Sequence, residues 1–354
     1  MADSGGHWKT LAEAQKLTQS TLIPGRFEED VKRNNPLDLF PVTQASKTGS
    51  SIKWLREKNT IEDAVSMIDI GEQLSWTEDV EYETVETELK RIYLQRKLDN
   101  FVEDIYGNIN DYKAMKLMEC EKGLRYKVGD QMLYGDLTYG SSKQFNGLHR
   151  LVAYNKETYT LFDDDLNIDN GEAGLSMRNL RLMIDAMRFG CDVLLFPKEI
   201  AQRVDEMWED RGSTSLASGT ANSLMRFARG IDQWGMPITY FNGIPIVRTD
   251  FLVAEQANTG TGASSDTRAK NTSGDEQFSI FGIKFGNPVA GDPGATLAFG
   301  NTTGKGQFYK LVLFPQLEDY DAGGIRLISY LALLHGSMKS IGRIYDIEDA
   351  ACTA

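Results

Sequence analysis

The spacing in this sequence that comes nearest to a metal site is an acidic run, Asp165-Leu-Asn167-Ile-Asp169. It reproduces the first three ligand positions of an EF-hand loop, which binds calcium through oxygen atoms. The sixth position is Asn170, where the loop requires glycine, and the twelfth is Ser176, where it requires a bidentate glutamate. We therefore predict an acidic surface loop over residues 161–174 and no metal site.

A second run, Gly300-Asn-Thr-Thr-Gly304-Lys305, is similar to a phosphate-binding loop. It is one residue shorter than such a loop, and Gly306 stands where a serine or threonine would hold magnesium. The pattern favours a hairpin turn, and we predict no nucleotide or other cofactor.

The histidines form no pattern that could bind a metal or act as a general base. They lie in the N-terminal arm and in predicted turns, at His7, His149 and His335. No G-x-S-x-G, C-x-x-C or H-E-x-x-H motif occurs in the sequence, and its 51 Asp and Glu residues are too many to single out an acid–base pair. We predict that the chain is not an enzyme and that it has no catalytic, cofactor-binding or metal-ligating residues.

The composition is that of a chain that folds in water. It has 354 residues, 41% of them hydrophobic and 25% charged, which is enough for two or three domains. No run of about 18 apolar residues indicates a membrane span, and the N-terminus lacks a secretory pattern. The net charge of −13 argues against wrapping nucleic acid, since such binding needs Lys and Arg to neutralise phosphates. The three cysteines, an odd number far apart, argue against a disulfide framework or a zinc site and favour synthesis in a reducing compartment: Cys120, Cys191 and Cys352.

One long helix is predicted over residues 108–136. Asn110 is its expected N-cap, and Gly135 is expected to end it in the left-handed conformation. Apolar residues at helical spacing predict one buried face: Leu117, Cys120, Leu124, Val128 and Met132. A second apolar sector consists of Met115, Met118, Tyr126 and Leu133. Two sectors indicate a strut packed on both sides, and Gly123 and Gly129 are expected to let it bend or to let another backbone approach.

Two segments before this helix lack a core of their own. Residues 1–48 contain three prolines and little periodicity, so we expect an arm lying extended across other elements. Residues 49–90 read as an out-and-back hairpin, with an acidic middle that carries isolated apolar residues. This hairpin either packs on its own domain or finds a partner in a neighbouring subunit, and the pattern favours neither.

After the long helix the pattern is that of a mixed α+β protein. Ser176 caps a predicted helix that Gly190 closes, a strand covers residues 191–196, and Pro197 opens another helix that ends at Gly212. Strands are predicted around residues 236–247, 277–286, 295–300, 309–314 and 323–348, the last as two strands with a turn at residues 335–336. Residues 255–277 are low in apolar residues and are predicted to be a mobile loop.

The order of these segments resembles the major capsid proteins of tailed bacteriophages, which have the Hong Kong ninety-seven-type fold. The resemblance rests on residues 86–95, the run Leu124 to Asp136 with its Gly-Asp step, and the Gly147-Leu148 pair that follows. Further similar stretches are residues 191–198, the Arg211-Gly212 pair and the short strand at residues 243–247. The likeness covers residues 45–350 as an ordered pattern, without a single diagnostic motif.

The resemblance implies an α+β capsid fold with five parts. These are an N-terminal arm (1–48), an extended β-hairpin called the E-loop (49–90), a P domain with a long spine helix and a β-sheet (91–170), an α/β A domain (171–319), and C-terminal strands that return to the P domain (320–354). The resemblance also implies self-assembly into hexamers and pentamers of an icosahedral shell. The shell would enclose double-stranded DNA without sequence-specific binding. The protein would be synthesised in the host cytoplasm and located in the virion. Implied partners are a separate scaffolding protein, a portal and optionally a decoration protein, with no membrane.

Apolar residues of the E-loop are the expected assembly contacts. They are Trp54, Met67, Ile68, Ile70, Leu74 and Trp76. Some members of the family crosslink subunits through an E-loop lysine, but nothing in this sequence marks a partner for Lys53 or Lys58, so we interpret both as solvated lysines.

Two other functions remain open from sequence. An encapsulin-like nanocompartment shell would share the fold and enclose protein cargo in place of a genome. From another class, an α/β enzyme with a regulatory arm would form a small oligomer with a cleft that holds acids of perturbed pKa.

Overall fold

The computed structural model describes most of the chain after the first part of the arm. The described residues are 28–45, 51–58, 62, 65, 67–73, 81–106, 112–137, 143–159, 161–217, 227–231, 237–256, 276–300, 308–317 and 321–353. Among these residues, no helix is both long enough and apolar enough to cross a membrane.

Helices and strands alternate irregularly along the chain, as in an α+β protein. The helices are α1 (Pro36–Leu39), α2 (Asn100–Tyr106), α3 (Tyr112–Tyr134), α4 (Leu148–Thr158), α5 (Met177–Ala186) and α6 (Lys198–Ala217). The strands are β1 (Val42–Gln44), β2 (Ser51–Glu57), β3 (Tyr82–Glu88), β4 (Lys90–Asp99), β5 (Asn167–Ala173), β6 (Val193–Pro197), β7 (Phe227–Ile231), β8 (Pro237–Phe241), β9 (Ile244–Thr249), β10 (Glu255–Gln256), β11 (Glu276–Ile283), β12 (Ala295–Phe299), β13 (Lys310–Phe314), β14 (Ala322–His335) and β15 (Ile341–Glu348).

The strands form two large sheets and one ribbon. The first sheet has β14 at its centre, with β4 along one edge and both β12 and β13 along the other, and β1 pairs with β12 in parallel. The second sheet has the order β5-β15-β11-β6-β9-β8-β7, with β10 paired to β11. The ribbon is the antiparallel pair β2–β3.

The largest core lies between α3, α4 and the first sheet. It joins Leu124 and Val128 of α3 to Leu151 of α4 and to Leu327 and Leu331 of β14. A second core lies under the second sheet, where α5 and α6 contribute Leu180 and Ile200. The four longest helices, α3 to α6, each bury apolar side chains, which is the usual way an α+β domain removes apolar surface from water.

The strut prediction is confirmed on one face and wrong in two details. Of the first predicted face, Cys120, Leu124, Val128 and Met132 are buried. In the second sector Leu133 is also buried, whereas Met118 is 66% exposed. Gly135 is not in the left-handed region. Position 135 nevertheless requires glycine, because the Cβ of any other residue would collide with the carbonyl oxygen of Phe145 at the end of α3.

Several boundaries predicted from sequence are wrong because tertiary packing overrides local composition. The acidic loop is instead a short 3-10 turn followed by β5, which pairs in parallel with β15. The region of His149, predicted to be a turn, is helix α4, and α6 continues past Gly212 to Ala217. The predicted mobile loop begins too early, because Glu255 lies in β10, and it ends too late, because Gln277 lies in β11.

The two C-terminal strands belong to different sheets. β14 lies in the first sheet beside β4, whereas β15 lies in the second sheet between β5 and β11. Conversely, β12 and β13 fall within the range predicted for the A domain but pair with β14 in the first sheet. The connection from β14 to β15 therefore passes from one sheet to the other, and the predicted domain bounds stay a prediction.

Candidate assembly interface

The β2–β3 ribbon forms the base of the segment predicted to contact other subunits. Seven residue pairs are in register, from Ser51 opposite Glu88 to Glu57 opposite Tyr82. On its exposed side Lys53 lies 3.0 Å from Glu86, and Lys58 lies 2.9 Å from Glu81. Both lysines are paired with carboxylates at the surface, where such pairs contribute little to stability.

One face of the ribbon packs on its own subunit. Val85 is buried and packs with Tyr159 and Met338, and Trp54 lies half-buried against the same cluster. Ile52 and Trp54 also contact the small cluster of Ala298, Ala332 and Leu334 on the first sheet. Trp54 therefore has a partner within its own chain, and its predicted contact with a neighbour stays a prediction.

A buried arginine anchors the far end of β2. Arg56 is 6% exposed and donates through Nε to the carbonyl oxygen of Gly336 (2.8 Å) and through Nη2 to that of His335 (2.7 Å). Its Nη1 donates to Oδ1 of Asn155 (3.3 Å), and the guanidinium lies 5.4 Å from the ring centre of Tyr159. Burial lowers the pKa of Arg56, opposed by the nearby Tyr159. The ribbon is therefore attached to the turn between the two C-terminal strands.

Beyond the ribbon the chain carries apolar side chains that its own subunit does not cover. The exposed fractions are 71% for Val65, 98% for Met67, 50% for Ile68 and 103% for Ile70. Gly71 follows with φ of +92°, the left-handed turn that glycine adopts without strain. Among the predicted contact residues, Leu74 and Trp76 lie outside the described part of the chain. Exposed apolar side chains grouped in this way are typical of interaction surfaces.

The described part of the N-terminal arm lies across α3. Leu37 and Phe40 enter the main core, and β1 extends the first sheet beside β12. At the crossing, Oδ1 of Asn35 accepts a hydrogen bond from the backbone nitrogen of Leu37, capping α1, while Nδ2 donates to the carbonyl oxygen of Arg125. The arm therefore approaches α3 closely enough that only glycine fits at position 129.

The structure assembles one ionic cluster that sequence reasoning missed. Nε2 of His149 lies 2.5 Å from Oε1 of Glu255, and Oε2 of Glu255 accepts from Ser279 (2.7 Å) and from Nη2 of Arg343 (3.2 Å). All four side chains are at least 94% buried. Burial by itself raises the pKa of Glu255, but His149 and Arg343 outweigh it and lower the pKa to about 2. Burial lowers the pKa of His149, opposed by Glu255.

This cluster holds elements together and is closed to substrates. It joins α4, β10, β11 and β15, and Nδ1 of His149 lies 2.9 Å from the carbonyl oxygen of Leu133 at the end of α3. A carboxylate and an arginine enclosed together satisfy each other's charge, which a buried group requires. His149 and His335 were expected in turns, yet one opens a helix, the other ends a strand, and both are buried. The signal available in sequence was Arg343, a charge between the apolar residues Ile341 and Ile344.

Comparison with known proteins gives no match to a protein-family model or to a curated protein sequence. Solved structures do match. The holo-SrpI encapsulin complex of Synechococcus elongatus PCC 7942 has a TM-score of 0.63 at 11% identity, covering 97% of both chains. The capsid of Ralstonia phage GP4 has a TM-score of 0.54 at 10% identity, covering 93% of this chain and 95% of that chain. The capsid of cyanophage P-SCSP1u has a TM-score of 0.53 at 12% identity, covering 94% and 93%.

The chain has the Hong Kong ninety-seven-type capsid fold. This confirms the fold and the α+β class predicted from the order of segments. Within that fold, α3 occupies the position of the predicted spine helix, between the arm and the first sheet. The role of the E-loop residues as contacts between subunits stays a prediction.

Proposed function

We propose that this chain is a major capsid protein that assembles into the hexamers and pentamers of an icosahedral shell enclosing double-stranded DNA. The observation that carries the proposal is a capsid fold extending over nearly the whole chain, with little left over for another activity. The exposed tip of the E-loop supports it, because Met67 and Ile70 remain in water unless another molecule covers them.

The net charge of the chain is consistent with a shell that contains DNA without binding it. A net charge of −13 repels phosphates over most of the surface, so packaged DNA would be confined without sequence-specific contacts. Under this proposal the protein is synthesised in the host cytoplasm and resides in the virion. Its partners are other copies of itself, a separate scaffolding protein, a portal and optionally a decoration protein.

An enzymatic role has little support from the groups that could perform chemistry. The His149–Glu255 pair is the arrangement most similar to a general base, yet both side chains are at least 94% buried in the interior. A substrate cannot reach them without opening the contact between α4 and the second sheet. We infer a structural protein, for which these ionic groups fix the packing of α4 against β11 and β15.

A second candidate is an encapsulin-like shell that holds protein cargo. The observation in its favour is the TM-score of 0.63 to the Synechococcus elongatus encapsulin, with 97% of each chain covered. Both candidates require self-assembly, and they differ in what the shell encloses.

Electron microscopy of particles formed by the purified protein tests the proposal, with and without a co-expressed scaffolding protein. Closed icosahedral shells are the expected result, and nuclease-resistant double-stranded DNA in particles from the native source would identify a capsid. Shells that form without scaffolding and co-purify with one protein cargo would identify the second candidate. Only small oligomers under all of these conditions would contradict both.

A further inference from the structure

Three asparagines in this chain are each followed by glycine, at Asn146, Asn170 and Asn242. In this dipeptide the asparagine side chain is most open to attack by the next backbone nitrogen, because glycine has no side chain to shield that nitrogen. Two of the sites share even the preceding residue, since Phe-Asn-Gly occurs at residues 145–147 and again at residues 241–243. The surroundings in the folded chain therefore decide which asparagine reacts.

Asn146 is fixed in the connection between α3 and α4. Its Oδ1 accepts a hydrogen bond from the backbone nitrogen of Leu137 (2.9 Å), and the backbone nitrogen of Gly147 donates to the carbonyl oxygen of Gly135 (2.8 Å). Gly147 is buried, and a Cβ added to it would lie 2.7 Å from the carbonyl oxygen of Gln131. The amide and the nitrogen that would attack it are both engaged, so reaction requires opening this packed connection.

Asn170 lies in β5 and is also fixed by hydrogen bonds. Its Nδ2 donates to the carbonyl oxygen of Ala173 (2.7 Å), and its Oδ1 accepts from the backbone nitrogen of Ser176 (3.3 Å). The backbone nitrogen of Gly171 donates to Oδ1 of Asp169 at 2.9 Å. Attack on this amide would first have to break these bonds, and the free energy of breaking them adds to the barrier.

Asn242 and Gly243 form the exposed two-residue turn between β8 and β9, where Phe241 pairs with Ile244. The φ angle is +51° at Asn242 and +83° at Gly243, as in the type I′ turn that favours Asn-Gly. A Cβ added to Gly243 would meet nothing within 4 Å. Within the part of the chain that the structure describes, neither the Asn242 side chain nor the Gly243 backbone nitrogen has a hydrogen-bond partner.

We propose that Asn242 is a site of spontaneous deamidation, with water as the only co-reactant. The Gly243 nitrogen loses its proton and forms a bond to Cγ of Asn242, while the bond from Cγ to Nδ2 breaks and the nitrogen leaves with that proton as ammonia. One water molecule then hydrolyses the cyclic imide. Cleavage between the Gly243 nitrogen and Cγ gives aspartate, and cleavage between the same nitrogen and the backbone carbonyl carbon gives isoaspartate. The attack requires rotation about the Cα–C bond of Asn242, which the turn permits because nothing packs over it.

Either product changes the turn between β8 and β9. Aspartate adds a negative charge to a chain whose net charge is already −13. Isoaspartate also lengthens the backbone by one carbon atom, which a two-residue turn cannot absorb without disturbing the pairing of its strands. The β7–β8 pair is the more sensitive side, because β9 is also paired in parallel with β6. This chemistry takes place in the folded subunit, whether or not the protein forms shells.

Peptide mapping by mass spectrometry tests the site on the intact protein. Folded protein is incubated in mildly alkaline buffer, where the backbone nitrogen loses its proton faster, and is then digested under acidic conditions. Asn242 is expected to deamidate about tenfold faster than Asn146 and Asn170, because only those two must first break hydrogen bonds. Incubation in urea is the matched comparison, and there the two Phe-Asn-Gly sites are expected to react at nearly equal rates.

The variant Asn242→Gly removes the reactive amide and keeps a dipeptide that suits a type I′ turn. Hydrogen exchange of the β8 amides is expected to become about tenfold faster as the wild-type protein is incubated, and to stay constant in this variant. Equal rates at Asn242 and Asn146 in the folded protein would show that Asn242 is not the reactive site. An equally large difference in urea would also overturn the proposal, because the local sequence and not the fold would then set the rate. Deamidation without faster exchange in β8 would show that the turn tolerates the products.

Discussion

At the scale of single residues, the stability of this protein depends on a few polar side chains enclosed by apolar ones. Arg56, Glu255 and Arg343 are each at least 94% buried, and each is satisfied by partners far along the chain. Such groups contribute little net stability when paired, but removing one partner leaves the other unsatisfied.

Substituting Arg56 by methionine is expected to destabilise the folded subunit by about 1–3 kcal/mol, because the carbonyl oxygens of His335 and Gly336 lose their donors. Urea unfolding of the isolated subunit measures the change. The matched control is Lys58→Met, at the residue that directly follows β2. Lys58 pairs with Glu81 at the surface, so losing this pair is expected to leave the free energy of unfolding nearly unchanged. Equal effects of the two substitutions would show that Arg56 does not anchor the ribbon.

His335 is expected to make stability fall as pH decreases below about 6.5. Burial, followed by the neighbouring Arg56, holds the pKa of His335 well below its ordinary value of 6.5. The unfolded chain therefore binds a proton that the folded chain does not, so stability is present above pH 6.5 and falls as pH decreases below it. Thermal unfolding of His335→Gln should show a shallower pH dependence than the wild type, with the remainder due to His149, whose pKa is also lowered. An unchanged slope in the variant would contradict this assignment.

At the scale of elements, α3 is a strut whose two glycines differ in their surroundings. Around Gly123 an added Cβ meets nothing within 4 Å, so Gly123→Ala should stabilise the helix by about 1 kcal/mol through its intrinsic propensity. Around Gly129 an added Cβ would collide with Asn35, which caps α1 and binds the carbonyl oxygen of Arg125. Gly129→Ala should therefore lower the melting temperature, whereas Gly123→Ala should raise it. Opposite or equal shifts would show that the arm does not pack on α3 in this way.

The elements also show how far local patterns determine structure. The buried face of α3, the β2–β3 ribbon and the cap of α5 by Ser176 follow from spacing and residue type, and the structure has all three. β5 could not be found in the same way, because its seven residues, NIDNGEA, have the composition of a loop. It is a strand only because β15 supplies the hydrogen-bond partners.

At the scale of the whole molecule, the exposed residues at the tip of the E-loop are expected to affect assembly of the shell but not folding of the subunit. Replacing Met67, Ile68 and Ile70 by serine should leave the unfolding temperature of the isolated subunit unchanged, since these side chains are 50% to 103% exposed. The same substitutions should impair formation of shells, because the apolar area that a neighbour would cover is lost. Calorimetry of the subunit and electron microscopy of assembly reactions measure the two effects. Replacing three exposed valines elsewhere by serine, Val31, Val42 and Val289, controls for loss of apolar area in general. A large loss of subunit stability would place the tip in the intramolecular core.

The sequence by itself determined the class of fold, the long helix, the hairpin and the concentration of acidic residues in its middle. These features depend on periodicity and composition over short stretches, so residues that are close in sequence are sufficient to predict them. Only the tertiary structure decided which sheet each C-terminal strand joins and which charges lie inside. His149 and Glu255 are 106 residues apart, and Glu255 and Arg343 are 88 apart, so no local pattern relates them. Their pairing exists because α4 packs on the second sheet, where β10 and β15 both pair with β11, and the low dielectric of that interior requires the buried charges to satisfy each other.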